Sequence, residues 1–338
     1  MKILVTAQAF AVSGAYERSR LEAAHCEIRF AHAWGPLHRE ALVEQAHDCE
    51  AVIAATDPYD AATFASLPSL KLVARCGVGI DSVDLSAATA AGVLISNVPS
   101  AMTDAVADYC LGLILSLARH IHLGNDCMRQ GGWAEMPGIE LRGKTLGLIG
   151  LGQIGRAVAD RARSFGMHVI ACDPQLDRAL WSDRYAWVES VSLDSLLARS
   201  HFVSLHAPNI PETRNLINAT TIAKMRPDAY LINTSRGALI EEAALIEALQ
   251  SGRIAGAAID VYTREPVPSD HALRSTPRLL LTPHNAFNSR EAAVRMSQGC
   301  AEPILDLLLG HIPQHLCNPA VLNAPALRWP IPLQAKAT

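Results

Sequence analysis

The feature that most constrains the fold is an alternation of short β-branched runs with segments of helical periodicity. Runs such as Lys2–Thr6 and Ala51–Ala55 predict buried strands, and segments such as Leu37–His47 predict helices between them. This alternation is typical of βαβ units, whose strands form a mainly parallel sheet. The sequence therefore predicts an α/β fold.

A second series of the same kind begins at Lys144–Ile149, after a long apolar helix predicted over Met102–Leu123. Its further strands are predicted at His168–Cys172, Phe202–Leu205, Tyr230–Asn233, Ala257–Val261 and Leu279–Leu281. Gly252 follows the predicted helix Glu241–Gln250, where a glycine favours a left-handed cap. With 338 residues, the chain is long enough for two domains with separate cores.

Charge and cysteine usage exclude several functional classes. The 29 Lys and Arg against 33 Asp and Glu give a net charge of −4, without the basic patch of a nucleic-acid binder. The longest strongly apolar run, around Cys110–Ala118, is far shorter than the ~20 residues that span a bilayer. The eight cysteines are scattered without a C-x-x-C pair, which indicates reduced thiols in a cytoplasmic protein and no metal site.

A glycine-rich segment follows one predicted strand directly. Gly150-Leu151-Gly152-Gln153-Ile154-Gly155 comes after Lys144–Ile149 and opens a helix predicted over Gln153–Phe165. In a dinucleotide site, the first glycine makes the tight turn, the second lets the backbone approach a pyrophosphate, and the third packs helix on strand. The helix N-terminus then offers N–H groups to the phosphates. The alternative is a glycine-rich turn in a sheet that binds no nucleotide.

An acidic residue ends the next predicted strand. Asp173 lies 18 residues after Gly155. A carboxylate at this place accepts hydrogen bonds from the ribose hydroxyls and repels a 2′-phosphate, and no arginine directly follows it. The sequence therefore favours NAD over NADP as the cofactor.

Further polar segments stand at the ends of predicted strands, where open parallel sheets place their ligand crevice. They are Asn233–Gly237, Asp260–Pro266 and Thr282–His284. Together with Gly77–Asp81 and His206–Pro208, they resemble the D-isomer-specific 2-hydroxyacid dehydrogenase family, in particular its phosphoglycerate dehydrogenase-like members. The resemblance covers about residues 45–315.

The resemblance implies a catalytic set and a reaction, the transfer of a hydride between NAD and a 2-oxo/D-2-hydroxy acid pair. Arg236 would bind the substrate carboxylate, because the planar guanidinium grips it bidentately. His284 would be the general acid–base, and Glu265 would pair with its imidazole and favour the protonated form. Each residue alone also fits an ordinary surface or turn position, and only the ordered set favours catalysis.

The resemblance also implies the binding residues. Arg75 and the main-chain N–H groups of Val78 and Gly79 would join Arg236 in binding the substrate. The cofactor would contact the glycine segment, Asp173 and a further set made of His206, Ala207, Pro208, Thr213, Thr234 and Asp260.

The architecture of the family implies two Rossmann-like, doubly wound parallel-sheet domains. A substrate domain of the flavodoxin-like kind would be discontinuous, with residues 1–100 and 288–338 on either side of an inserted NAD-binding domain at 101–287. The Met102–Leu123 helix and the loop at Gly132-Trp133 correspond to the segment that builds the family's homodimer.

Two points leave alternatives open. Arg75 is typical of phosphoglycerate dehydrogenases, but Ala54-Ala55 stands where those enzymes usually have an Arg-Ser pair, and Asp57 is unfavourable beside a phosphate. We therefore expect a substrate other than 3-phosphoglycerate. Phe287 and Ser289 are similar to the branch that contains the C-terminal-binding-protein corepressors, so an NAD-sensing scaffold with a secondary dehydrogenase site is the alternative function.

Overall fold

The computed structural model describes residues 1–176, 181 and 183–329, so the end of the predicted tail, residues 330–338, lies outside the described part. The chain divides into two compact units. The first contains Met1–Met102 and the chain from Asn288 onward, and the second is Thr103–Phe287. Each unit is built on a sheet whose paired strands are all parallel. The predicted fold class, with two doubly wound parallel α/β units, is confirmed.

The sheet of the first unit has five strands. They are β1 (Lys2–Val5), β2 (Glu27–Phe30), β3 (Ala51–Ala54), β4 (Leu72–Arg75) and β5 (Leu94–Ser96). Their order is β2-β1-β3-β4-β5, so the direction of winding reverses at β1. The helices of this unit are α1 (Gln8–Ser13), α2 (Ala15–Ala23), α3 (Arg39–Ala46), α4 (Ala61–Ser66), α5 (Leu85–Ala90) and α12 (Arg290–Leu308).

Burial in this sheet extends from the central strand β3 to the edge strand β5. Every residue of β3 and β5 is buried, because helices cover the sheet on both sides. One face packs in a cluster that includes Leu42, Phe64 and Val73. On α12, Gly299 approaches Val98 so closely that a Cβ would lie 2.4 Å from a methyl carbon of that valine.

The segment after α12 returns to the edge strand β5. Cys317 donates its N–H to the Ile95 carbonyl at 2.7 Å. The buried amide of Asn318 accepts the Ile95 N–H at 2.9 Å and donates to the Val93 carbonyl at 2.9 Å. Farther on, the Arg328 guanidinium donates to the Leu67 carbonyl at 2.6 Å. We call residues 312–329 the C-terminal strap, because they complete hydrogen bonds that β5 and its neighbours would otherwise lack.

The sheet of the second unit has seven strands. They are β6 (Thr145–Ile149), β7 (His168–Cys172), β8 (Glu189–Ser190), β9 (Phe202–Leu205), β10 (Tyr230–Asn233), β11 (Gly256–Ile259) and β12 (Leu279–Leu281). Their order is β12-β11-β10-β9-β6-β7-β8. The winding reverses between β6 and β9, and the carboxyl ends of strands at such a reversal border a ligand crevice.

Helices cover both faces of this sheet. They are α6 (Thr103–Arg119), α7 (Ile121–Arg129), α8 (Gln153–Ser164), α9 (Leu193–Arg199), α10 (Ala219–Ile222) and α11 (Glu242–Gln250). Residues of α6 and α8 pack in one buried cluster, and residues of α9, α10 and α11 pack in another. Gly252, just after α11, has φ +70°, so the predicted left-handed cap is confirmed.

The long apolar helix predicted over Met102–Leu123 is wrong at its end. The helix stops at Arg119, because His120 takes a left-handed conformation with φ 53°, and α7 begins after it. The carbonyl of Ala118 accepts the N–H of Ile139 at 2.8 Å, so a returning loop caps the helix end. The apolar periodicity of the helix could not predict this end, because the hydrogen-bond partner lies far along the chain.

Candidate active site

The glycine segment forms a tight turn between β6 and α8. Gly150 has φ 97°, and a Cβ there would lie 2.7 Å from the His206 carbonyl oxygen. A Cβ on Gly155 would lie 2.3 Å from the carbonyl oxygen of Gly150. A Cβ on Gly152, in contrast, would meet no heavy atom of the described neighbours within 4 Å. The turn is therefore tightly packed against the protein at Gly150 and Gly155. It leaves free space beside Gly152, where a pyrophosphate approaches in dinucleotide sites.

Asp173 lies at the carboxyl end of β7, beside this turn. Its carboxylate accepts the Leu151 N–H at 2.7 Å and the Gln175 N–H at 2.9 Å. These bonds fix an acidic group at the edge of the glycine turn. The sequence identifies the acid, but its bond to the turn requires the folded backbone.

The segment His206–Pro208 follows β9 and lies under the glycine turn. His206 shares a hydrogen bond of 2.9 Å with the Ser204 hydroxyl, and burial lowers the pKa of this imidazole to about 4, so it is neutral. Thr213 closes the next turn, because its hydroxyl donates to the Pro208 carbonyl at 2.6 Å. Ser235 donates to the Ala207 carbonyl at 2.6 Å, a link that the sequence analysis missed.

Thr234 follows β10 and is buried, yet its hydroxyl has no hydrogen-bond partner among the described residues. A buried polar atom without a partner costs about 1–3 kcal/mol, so a bound group that completes it stabilises the site. Together with the open face at Gly152 and the carboxylate of Asp173, this hydroxyl fits a dinucleotide.

Arg236 is held by an amide-based turn at the end of β10. The Asn233 side chain accepts the Ser235 N–H at 3.0 Å and donates to the Arg236 carbonyl at 2.8 Å. The guanidinium donates to the Ser235 carbonyl at 2.7 Å. Asn233 thus fixes the backbone from which Arg236 projects. It was not predicted as a site residue, although an Asn that ends a strand is a turn former.

His284 and Glu265 form a hydrogen-bonded pair. The Nδ1 atom of His284 lies 2.6 Å from Oε2 of Glu265, and the other carboxylate oxygen accepts the Tyr262 N–H at 2.9 Å. Because a carboxylate only accepts, Nδ1 carries the proton and Nε2 is the nitrogen that faces away from the pair. About 40% of the His284 side chain is exposed, so that nitrogen can exchange a proton with a ligand.

The carboxyl group of Glu265 has a pKa below its ordinary range. Burial raises this pKa, but the hydrogen bond and the charge of His284, the Tyr262 N–H and the charge of Arg236 together lower it further. Glu265 therefore stays ionised next to the imidazole. The three residues predicted as catalytic thus lie in one unit, with Glu265 in contact with His284 and electrostatically coupled to Arg236.

Asp260 has a structural role that the sequence analysis did not predict. Its buried carboxylate accepts the Thr282 hydroxyl at 2.6 Å and the N–H groups of Asn285 and Ala286, each at 2.9 Å. His284 lies in the turn that these bonds hold, with a left-handed φ of 50°. The carboxylate was predicted to contact the cofactor, and in the structure it holds the turn of His284.

The residues predicted to bind substrate from the first unit lie at the last position of β4 and in the loop that follows it. The Arg75 guanidinium donates to the Cys76 carbonyl at 2.5 Å, and the Asn97 amide donates to the Val78 carbonyl at 2.7 Å. Asp57 is fully buried, where it accepts the Leu37 N–H at 2.9 Å and the Thr6 hydroxyl. Burial raises the pKa of this carboxyl group.

The described residues contain no group of three or more His, Cys, Asp or Glu side chains arranged to hold a metal ion. Likewise, none of the helices described here combines the length and the apolarity needed to cross a bilayer.

Comparison with known proteins identifies relatives of the whole chain. A family model described as "D-isomer specific 2-hydroxyacid dehydrogenase, NAD binding domain" matches residues 111–286. A glyoxylate reductase of Korarchaeum cryptofilum is 36% identical over 306 residues, which are 88% of this chain and 92% of that protein. A D-3-phosphoglycerate dehydrogenase of Synechocystis is 42% identical over 243 residues, 71% of this chain but 43% of that longer protein. The solved structure of a glyoxylate reductase from Paecilomyes thermophila matches with a TM-score of 0.82 at 31% identity, over 94% of this chain and 98% of that one.

Proposed function

The chain belongs to the D-isomer-specific 2-hydroxyacid dehydrogenase family, and from that premise we propose how its residues perform the reaction. It is an NAD-dependent oxidoreductase that interconverts a 2-oxo acid and a D-2-hydroxy acid. NAD supplies or accepts the hydride when it is bound. We propose that the glycine turn binds the pyrophosphate of NAD, that Asp173 binds the adenosine ribose and that Thr234 binds at the nicotinamide end. The open face at Gly152 and the partnerless Thr234 hydroxyl support this assignment.

The observation that carries the proposal is the 2.6 Å hydrogen bond between His284 and Glu265. We assign proton transfer to His284: Nε2 donates to the carbonyl oxygen during reduction and takes the proton back during oxidation. Glu265 holds the imidazole in the tautomer that presents Nε2 and stabilises its charged form. Arg236 binds the substrate carboxylate and orients the carbonyl carbon.

For the substrate we propose a small 2-oxo acid, with glyoxylate as the first candidate. A relative named glyoxylate reductase aligns over 88% of the chain, and Ala54-Ala55 brings no positive charge to the end of β3. The contacts of Arg75, Val78 and Gly79 with substrate stay predictions, as do the domain boundaries after residues 100 and 287. No contact in the described site favours the corepressor-like alternative.

We further propose that the protein is a homodimer formed through α7 and the loop that follows it. Every residue of α7 is at least partly exposed, including Ile121, Leu123 and Met128. Trp133, in the loop, is 87% exposed. Exposed apolar side chains such as these gain stability when a second copy of the chain covers them. All eight cysteines are free, which supports the predicted cytoplasmic location.

The experiment that tests the function is NADH oxidation by the purified protein with glyoxylate, hydroxypyruvate, 3-phosphohydroxypyruvate, pyruvate and a branched-chain 2-oxo acid. The same panel is run with His284→Ala, which should lower kcat by about 10²–10⁴-fold and leave NADH affinity unchanged. Wild-type turnover in this variant would remove His284 from the mechanism. Binding of NADH without reduction of any acid would refute the proposed function.

A further inference from the structure

The loop between β11 and β12 carries Glu265, and one side chain from outside the loop anchors it. Glu242, the first residue of α11, points its carboxylate at Thr263. Oε1 of Glu242 accepts the Thr263 N–H at 3.0 Å and the Thr263 hydroxyl at 2.8 Å. Only 17% of the Glu242 side chain is exposed, whereas Thr263 lies at the surface. Two hydrogen bonds to one carboxylate oxygen make this a strong anchor.

Thr263 directly follows the residue that orients Glu265. The N–H of Tyr262 donates to Oε1 of Glu265 at 2.9 Å, and Oε2 of the same carboxylate meets His284 at 2.6 Å. Any displacement of the Tyr262-Thr263 backbone therefore moves the donor that sets the direction of the Glu265 carboxylate. A continuous path of hydrogen bonds and one peptide unit leads from Glu242 to the imidazole.

The same dipeptide also contacts the turn of Arg236. A Cβ on Gly237, the next residue, would lie 2.0 Å from the Tyr262 carbonyl carbon and 2.4 Å from the Thr263 nitrogen. The backbone of Tyr262 and Thr263 is therefore packed between the Arg236-Gly237 turn and α11. Its position affects both the residue assigned to the carboxylate and the partner of the general acid–base.

The second carboxylate oxygen of Glu242, Oε2, faces the imidazole of His271, whose tautomer is set by a hydrogen bond from the backbone. Nδ1 of His271 accepts the Leu273 N–H at 3.4 Å, so the neutral ring carries its proton on Nε2, and Nε2 lies 3.5 Å from Oε2 of Glu242. His271 thus lies beside the oxygen of the Glu242 carboxylate that does not bind Thr263. Farther along the loop, Arg274 donates to the carbonyls of Val267 and Pro268, each at 2.9 Å.

We propose that Glu242 is a positioning residue of this active site, which acts through Thr263 and Tyr262 to hold Glu265 against His284. The inference rests on the proposed function. Glu242 touches none of the reacting groups itself. Its effect is on the orientation of Glu265, so it changes the rate of proton transfer and leaves cofactor binding unchanged.

The test compares Glu242→Ala, Glu242→Gln and Glu241→Ala with wild type in NADH oxidation with the best 2-oxo acid of the panel. Glu242→Ala should lower kcat by about 10- to 100-fold, because it removes two hydrogen bonds to a charged group, with NADH affinity unchanged. Glu242→Gln keeps an acceptor for Thr263 and should restore most of kcat. Glu241→Ala removes an exposed neighbouring carboxylate and should match wild type.

A double-mutant cycle distinguishes positioning from general destabilisation. Once Glu265→Gln has removed the group that Glu242 positions, adding Glu242→Ala should lower kcat by less than about threefold. An equal loss in both backgrounds would overturn the proposal, as would wild-type kcat in Glu242→Ala or failure of Glu242→Gln to restore it. If Glu242→Ala does not bind NADH, Thr263→Ala, which removes only the hydroxyl bond, takes its place in the cycle. Failure of wild type on every acid refutes the proposed function itself, whereas an active wild type with a fully active Glu242→Ala refutes this inference alone.

Discussion

Replacement of Glu265 by Gln tests the central pair of the proposed mechanism. The substitution keeps the shape of the side chain and removes the charge that faces His284 across 2.6 Å. Two unit charges at that distance attract by about 1.6 kcal/mol at the permittivity of water and by about 6 kcal/mol at an effective permittivity of 20. The side chains are 40% and 35% exposed, so solvent screening places the value near the lower limit, at about 1.5–3 kcal/mol. We therefore expect kcat to fall by about 10- to 150-fold.

The pH dependence of the same variant gives a second readout. Despite burial, the bond with His284 holds the pKa of Glu265 below its ordinary value, so the ionised form is present above that lowered pKa. Wild-type activity should fall as the pH drops through it, because protonation of Glu265 removes the charge that supports the imidazolium. Glu265→Gln has no carboxylate that could be protonated and should lack that acid limb. The assay is initial NADH oxidation across the acid range, and a kcat within about twofold of wild type with an unchanged acid limb would refute the reasoning.

Three further variants test other parts of the molecule. Arg236→Lys keeps the charge but loses the planar fork, so kcat/KM for the acid should fall by about 10²–10³-fold, and a near-normal value would place carboxylate recognition elsewhere. Asp173→Ala removes the repulsion of a 2′-phosphate, so the ratio of NADH to NADPH efficiency should narrow; an unchanged ratio contradicts the ribose assignment. Asn318→Ala leaves the Ile95 N–H and the Val93 carbonyl unsatisfied, which should cost about 2–6 kcal/mol in urea unfolding, and a loss under about 1 kcal/mol would contradict the role of the strap.

Local periodicity and glycine chemistry predicted the parts of this protein that depend on neighbours in sequence. Strands β1 and β3, the strands of the second sheet other than β8, the turn at Gly150–Gly155 and the cap at Gly252 follow from short-range patterns, whereas the two-residue strand β8 was not predicted. The end of α6 at Arg119 does not, because Ile139, a residue far along the chain, satisfies the Ala118 carbonyl.

In the candidate site, too, the sequence could identify some residues and not others. Arg236, Glu265 and His284 could be selected from the sequence because their residue types suit the chemistry and their order matches a family. The residues that support them could not be selected, because a carboxylate such as Asp260 or Glu242 has the same appearance in a sequence whether it binds a ligand or a turn. Only the donors that surround it, Asn285 and Thr263 among them, decide which of the two it does.

The C-terminal strap has a consequence for the order in which the protein can fold during synthesis. The second unit is a continuous stretch of chain, so all of its strands are synthesised before α12. The first unit cannot complete its fold until α12 and the strap are synthesised, although its five strands are made first. The reason is that α12 packs on β4 and the strap supplies the hydrogen-bond partners of Ile95 and Val93. A released chain truncated after Phe287 should therefore protect the inserted unit from proteolysis while the N-terminal hundred residues are still digested.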